Sequence, residues 1–173
     1  GRIVFRNTRE QIKGFPHRNT ILAPLQPSEN NNEWSGRLWN EFCCDVGIYT
    51  RKKATLSADG RVRWLAKLLR DNPTEKFLLI CRTAEKATAI DQFLRREIQI
   101  KSAVFHERLS LIHRDRNAAW FNEPDGAQLL ICSEIGSEGR NFQMARHIIF
   151  YDLPIDPELV EQRIGRLDRI GQK

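Results

Sequence analysis

This chain of 173 residues has no long apolar run: its longest apolar runs are about five residues, such as Phe77–Cys81. A run of that length suits a buried strand and is far too short to span a bilayer. The opening residues, Gly1–Arg6, contain no apolar stretch of the signal-peptide type, so nothing in the sequence favours secretion. These absences predict a cytoplasmic protein with no membrane partner.

Cysteine and histidine are scarce and scattered. Four cysteines stand at positions 43, 44, 81 and 132, without a C-x-x-C pair, and the four histidines form no cluster. Because zinc sites need such spacings, we predict no metal site. Cys81 and Cys132 end apolar runs, where a thiol behaves as a small buried side chain, and we predict that the cysteines are reduced.

Two phosphate-handling motifs are also absent. The sequence contains no G-x-x-x-x-G-K-[ST] loop, and no D-E-x-H box follows an apolar run. Those motifs cradle phosphates, bind Mg²⁺ and activate water in nucleotide hydrolases. We therefore expect that any such chemistry here needs groups from another domain.

Positive charge is what the chain has in excess. Lys and Arg number 28 against 22 Asp and Glu, which gives a net charge of +6 and a pI of about 9.4. This balance favours a polyanionic partner, although many basic domains bind none. The length suits one domain with a proper core.

A polar, turn-rich segment at 26–33 divides the chain. We predict a leading segment at 1–33, a helical insertion at 34–59 and a regular α/β domain at 60–173. Helical spacing within the insertion predicts one packed helix, from residues Trp34, Leu38, Trp39, Phe42 and Cys43.

From residue 60 onward, helical patterns alternate with apolar runs, and Thr83 and Ser110 are predicted to cap two of the helices. The predicted strands are Lys76–Cys81, Ser102–Phe105, Gln128–Cys132 and His147–Tyr151. Strands without polar alternation, separated by helices, predict a three-layer α/β fold with a mainly parallel sheet and helices on both faces. Ligands bind beyond the carboxyl ends of such strands, where this sequence places Arg82-Thr83, Ser133-Glu134 and Asp152-Leu153.

A glycine-bearing segment, Ser133–Asn141, comes directly after one of these strands. Its two glycines would free backbone N–H groups to hold a phosphate. A G-x-x-G by itself often marks only a turn, so the segment becomes informative through its pairing with an arginine-bearing helix some 25 residues later.

That helix is predicted from Asp156, the N-cap, to Gly171. At about 100° per residue, Gln162, Arg166 and Arg169 share one polar face, which would clamp a ligand with several negative oxygens. The opposite, apolar face would dock on the core and comprises Val160, Ile164, Leu167 and Ile170. Alternatively, the arginines are merely solvated.

These motifs together resemble a known family. The order Cys132–Gln143, then Ile148–Pro154, then Glu161–Gln172 looks like the second RecA-like lobe of a superfamily-two helicase, and more narrowly of Swi/Snf-type ATPases. Within that group, the pattern is most similar to bacterial members associated with RNA polymerase. The resemblance covers 60–173 and extends to 1–25.

The resemblance implies roles for particular residues. Arg166 and Arg169 match the arginine fingers that reach the ATP γ-phosphate across a cleft between two lobes. The matching cofactor-binding positions are Gly139, Asn141 and Gln162, and the matching nucleic-acid contacts are Arg82, Thr83 and Ser133. Some positions depart from the family pattern, namely Ser137, Ile155-Asp156 and Arg108. The last departure favours a packed, structural His106.

The family further implies ATP with Mg²⁺ held by a first lobe, and double-stranded DNA or a DNA/RNA hybrid as partner. RNA polymerase is implied as a second partner, and the bacterial nucleoid as the location. We therefore expect the C-terminal motor lobe of an ATP-dependent double-stranded nucleic-acid translocase, inactive in isolation and part of a longer protein. The alternative is a non-enzymatic module that binds nucleic acid or protein with the same fold.

Overall fold

In the residues that are described, the fold is a four-stranded parallel sheet between helices, seen in a computed structural model. The structure describes residues 18–25, 31–48, 56, 59–134, 142, 144–154 and 156–165. The elements in chain order are α1 (Asn31–Asp45), α2 (Gly60–Asp71), β1 (Phe77–Cys81), α3 (Ala84–Glu97), β2 (Ser102–Phe105), α4 (Leu111–Asn122), β3 (Leu129–Ser133), β4 (His147–Phe150) and α5 (Pro157–Ile164).

The sheet has the strand order β2-β3-β1-β4, with every pair parallel. Strands β1 and β3 lie in the centre and are buried throughout, because each carries apolar side chains on both faces. The register pairs Cys81 with Ser133 and Ile80 with Phe150, so these three strands end at one edge. We call this edge the rim.

Alternation along β1 produces two cores, one on each face of the sheet. Phe77, Leu79 and Cys81 point to the side covered by α2 and α3, whereas Leu78 and Ile80 pack with Phe121 and its neighbours on the α4 side. Helices therefore cover both faces, and the predicted three-layer α/β fold is confirmed.

Helix starts follow the predicted capping residues. The Thr83 hydroxyl accepts a hydrogen bond from the Lys86 N–H, and Ser110 and Asp156 cap α4 and α5 in the same manner. An Asp59 cap on α2 was not among the predictions, although its carboxylate accepts from Arg61 N–H at 2.9 Å. Among the described residues, no helix has the length and apolar character needed to cross a membrane.

One detail of α1 differs from expectation. The helix predicted near Trp39 exists as α1, but the Trp39 side chain is 61% exposed, whereas Cys43 is buried. Helix α5 ends at Ile164 with Gly165 as its C-cap. The predicted continuation toward Gly171 lies outside the described residues and stays a prediction.

Candidate functional site at the carboxyl ends of the strands

The rim brings together the segments that follow β1 and β4. The Arg82 N–H donates to Asp152 Oδ2 at 3.0 Å, and the Tyr151 N–H donates to the Ile80 carbonyl at 3.0 Å. Asp152 therefore joins the loop after β1 to the loop after β4. Arg82 itself is half-buried, and its guanidinium lies 5.7 Å from the Phe42 ring centroid of α1.

Lys86 is the buried cation of the rim, with a side chain only 3% exposed. Its ammonium contacts Glu41 Oε1 at 2.6 Å, Asp152 Oδ2 at 3.0 Å, and the carboxylate of Asp45. Burial opposes the charged form, but these carboxylates outweigh it and raise the pKa of Lys86. The ammonium is thus charged at neutral pH.

Arg61 extends the same network along α1 and α2. Its Nη2 lies 2.6 Å from both Glu41 Oε2 and Asp59 Oδ2, and the Tyr151 hydroxyl donates to Asp59 Oδ2 at 2.9 Å. Burial alone would raise the pKa of Asp59 and Glu41, but hydrogen bonds and charge attraction from Arg61 dominate and lower both. The two carboxylates are therefore ionised at neutral pH.

Arg163 anchors α5 to the rim. This residue is 3% exposed, its Nη1 donates to the Asp152 carbonyl at 2.7 Å, and its Nη2 lies 3.3 Å from Glu134 Oε1 and 3.6 Å from Asp152 Oδ1. The guanidinium also lies 5.9 Å from the Phe150 ring centroid. A buried arginine held by two loops fixes the helix relative to the ends of β3 and β4.

A second polar cluster lies at the end of β2 and β3. The Ser133 hydroxyl donates to Glu107 Oε2 at 2.6 Å, and His106 Nε2 lies 3.2 Å from Thr88 Oγ1. His106 is 6% exposed, and burial lowers its pKa, so the ring is neutral at neutral pH. The prediction of a packed histidine is confirmed.

The sequence-predicted contacts have different surroundings. Gln162 is exposed on α5, Arg82 is half-buried at the rim, and Thr83 uses its hydroxyl to cap α3. Ser133 is fully buried and bound to Glu107, so its hydroxyl is not presented to solvent. The remaining predicted site residues lie outside the described residues, namely Gly139, Asn141, Arg166 and Arg169.

The sequence prediction omitted Lys86, Arg163 and the two α1 carboxylates. Glu41 and Asp45 are spaced one helical turn apart, which signals a shared face, and Asp152 had already been assigned to the rim. No local pattern identifies Lys86 as the partner of those groups, because it is 41 residues from Asp45.

Oxygen ligands for a cation also meet at this rim. Glu41, Asp45 and Asp152 bring one carboxylate oxygen each within 4.8 Å of one another, close enough to share a metal ion. The Lys86 ammonium contacts all three carboxylates and neutralises part of their charge. This group of described residues therefore does not fit Mg²⁺ while Lys86 is charged.

The parallel sheet, its covering helices and a polar rim beside a capped, anchored helix define the C-terminal RecA-like lobe of a helicase. The chain belongs to the family described as the helicase conserved C-terminal domain, whose model matches residues 60–171.

A similar protein makes the family assignment more specific. The chain is 46% identical to the RNA polymerase-associated protein RapA of Photobacterium profundum over 190 aligned positions, which cover 100% of this chain and 20% of that protein. It therefore spans about one fifth of the length of this relative.

Among solved structures, the C-terminal part of the Fun30 ATPase domain has a TM-score of 0.60 at 20% identity, covering 84% of this chain and 52% of that one. The Sulfolobus solfataricus SWI2/SNF2 ATPase C-terminal domain has a TM-score of 0.51 at 13% identity, covering 72% and 58%. At these identities the two structures support the fold. The family match and the RapA relative confirm the resemblance to the C-terminal lobe of a helicase, and to a bacterial protein associated with RNA polymerase.

Proposed function

We propose that this chain is the second motor lobe of an ATP-dependent double-stranded nucleic-acid translocase. In this proposal, ATP and its Mg²⁺ are held by a first lobe, and this lobe adds arginine fingers at Arg166 and Arg169. Gln162, Gly139 and Asn141 face the nucleotide. Arg82 and Thr83 form the nucleic-acid side of the rim, whereas the buried Ser133 hydroxyl binds Glu107 instead of a nucleic acid.

The anchoring of α5 is the observation that best supports this proposal. Arg163 ties the helix to the loop after β4, and Gly165 caps the helix immediately before Arg166. A finger acts only when it is held in place before the reaction, because the catalytic effect of an electrostatic group depends on preorganisation. The described part of α5 provides such a fixed base.

Substitution of the arginines tests the catalytic role. Arginine fingers of GTPases contribute about 10³–10⁵ in rate, so Arg166→Ala and Arg169→Ala in the longer protein should each lower kcat by orders of magnitude. The Kd for ATP should change much less. Arg116→Ala, an exposed substitution on α4, is the matched control.

Unchanged kcat in both variants would refute the finger assignment. Retained duplex binding without any ATP turnover by the unsubstituted longer protein would instead favour a non-enzymatic binding module. The chain alone should hydrolyse no ATP, with or without DNA, and appreciable turnover would contradict the idea of a divided site.

Nucleic-acid contact is expected mainly at phosphates. The net charge of +6 supports this expectation, as does the placement of Arg82 at the rim. The slope of log K against log salt should be about −0.9 per phosphate neutralised on duplex DNA. Strong sequence preference with little salt dependence would argue against it.

RNA polymerase is the proposed protein partner, and the bacterial nucleoid in the cytoplasm is the proposed location. Both rest on the similarity to RapA, whose name describes association with RNA polymerase. Co-sedimentation of the longer protein with purified RNA polymerase tests the partner.

We further propose 1–33 as a family-specific lead-in from the first lobe, 34–59 as an insertion and 60–173 as the motor lobe.

A further inference from the structure

Helix α1 precedes the region that the family model matches. The family model matches residues 60–171, whereas α1 comprises Asn31–Asp45. Yet two of its carboxylates, Glu41 and Asp45, lie one turn apart and both face the motor lobe. Their side chains are only 15% and 5% exposed, so these are buried contacts and not surface ion pairs.

Lys86 is the group that these carboxylates hold. It extends from the first turn of α3 and lies between α1 and Asp152, with Glu41 Oε1 at 2.6 Å and Asp152 Oδ2 at 3.0 Å. A buried ammonium needs opposite charges on several sides, since its desolvation is otherwise unfavourable. Removing the α1 carboxylates would leave Lys86 with Asp152 as its ionic partner among the described contacts.

Asp152 connects Lys86 to the loop after β1 and to helix α5. Its Oδ2 accepts from Arg82 N–H at 3.0 Å as well as from Lys86, and its carbonyl accepts from Arg163 at 2.7 Å. A change in the position of the Lys86 ammonium therefore acts on the loop after β1 and on α5 through one residue.

We propose that α1 is an ionic brace, in which Glu41 and Asp45 hold Lys86 against Asp152 and so position both the Arg82 loop and α5. Glu41, Asp45 and Lys86 are then positioning residues, since they act through Asp152 and Arg163. The structural part of this proposal stands on the contacts alone. Its consequence for ATP turnover rests on the proposed function.

Hydrogen–deuterium exchange of the full chain tests the structural part. The variant Glu41→Gln with Asp45→Asn keeps side-chain size and removes both charges. Asp71→Asn is the matched control, because Asp71 also pairs with a lysine, Lys67, but is 55% exposed. In the double variant, α5 and the residues after β1 should exchange about tenfold faster or more, while the amides of β3 stay protected.

Three results would overturn the brace. Faster exchange confined to α1 would show that the helix docks without positioning α5. Faster exchange everywhere, including β3, would show that the carboxylates only stabilise the fold. No change in any segment would mean that the contacts have no positioning role.

Kinetics of the longer protein test the functional part. The α1 double variant should lower duplex-stimulated kcat by up to about 10²-fold, with a smaller change in the KM for ATP, because a small misplacement of a catalytic group is enough to slow the reaction by that factor. Lys86→Arg, which keeps the charge, should retain more kcat than Lys86→Met. An unchanged stimulated kcat in the α1 variant would reject the functional part.

The failures of the two proposals are distinguishable. If Arg166→Ala leaves kcat intact while α5 still exchanges faster in the α1 variant, the finger assignment is wrong and the brace stands. If Arg166→Ala abolishes turnover while α5 exchange is unaffected by the α1 variant, the brace is wrong and the proposed function stands.

Discussion

Replacement of Lys86 by Met should destabilise the fold strongly, because it removes the cation from a buried group of carboxylates. The Lys86 side chain is 3% exposed, and its partners Asp45 and Asp152 are 5% and 17% exposed. Removing one partner of a buried ion pair costs about 3–5 kcal/mol, since the remaining charge stays buried without compensation. A loss of that size is a large part of the ~5–15 kcal/mol that stabilises an ordinary domain.

The loss should also depend on pH in a defined direction. Burial already raises the pKa of Asp45 above its usual 3.8, and removal of Lys86 would raise it further. A carboxyl whose pKa is higher in the folded state than in the unfolded state favours folding at low pH. The penalty of Lys86→Met should therefore be smallest near pH 4 and grow as the pH rises through the folded-state pKa.

Urea unfolding of the chain, followed by tryptophan fluorescence and circular dichroism, measures this penalty. Lys67→Met is the control, because the Lys67 side chain is 75% exposed and its pair with Asp71 should contribute at most about 1 kcal/mol. Adding Glu41→Gln and Asp45→Asn to Lys86→Met should restore part of the lost free energy of unfolding. The reasoning fails if Lys86→Met costs no more than Lys67→Met.

Three further predictions concern other parts of the structure. Because burial lowers the pKa of His106, the unfolded chain takes up a proton near pH 6.5 that the folded chain does not take up. The free energy of unfolding should therefore fall as the pH is lowered from about 7 to 5. His106→Gln should make this fall smaller, as measured by urea midpoints. A Cβ at Gly126 would lie 1.7 Å from the Trp120 carbonyl oxygen, so Gly126→Ala should lower the free energy of unfolding by about 1–3 kcal/mol. A Cβ at Gly36 would have nothing within 4 Å, so Gly36→Ala should stabilise α1 by about 0.5–1 kcal/mol. Equal effects of the two substitutions would contradict this difference in packing. Thr83→Ala should cost about 1 kcal/mol of unfolding free energy by loss of the α3 cap, and Thr83→Ser should not.

Local chemistry explains why the fold could be predicted. The run Phe77–Cys81 contains no polar residue, so it suits a strand buried on both faces, and the structure places it at the centre of the sheet. Thr83 and Ser110 stand directly before helical patterns, and both act as the predicted caps. These features depend on neighbours a few residues away, which the sequence displays.

The rim could be predicted only in part, because its contacts join distant residues. The ends of parallel strands located Arg82 and Asp152 correctly on one edge. In α5, however, helical spacing identified Val160 and Ile164 as the docking face, while the most buried residue is Arg163. Its burial depends on acceptors from the loops after β3 and β4, and periodicity carries no information about them.

The distribution of charge at the rim limits how a polyanion can approach it. Within the described residues, three cations of the network, Arg61, Lys86 and Arg163, face five carboxylates, which are Glu41, Asp45, Asp59, Glu134 and Asp152. The network is thus locally acidic in a chain of net charge +6.

A phosphate strand would be repelled by that surplus if it lay against α1, since burial strengthens the interaction between like charges. The proposed nucleic-acid contact must therefore use the side of Arg82 that faces away from the carboxylates of α1. Because Phe42 lies beside the Arg82 guanidinium, α1 limits the free faces of this side chain as well. Helix α1 would then influence both the position and the accessibility of Arg82, which is why its removal should alter nucleic-acid binding as well as the exchange of α5.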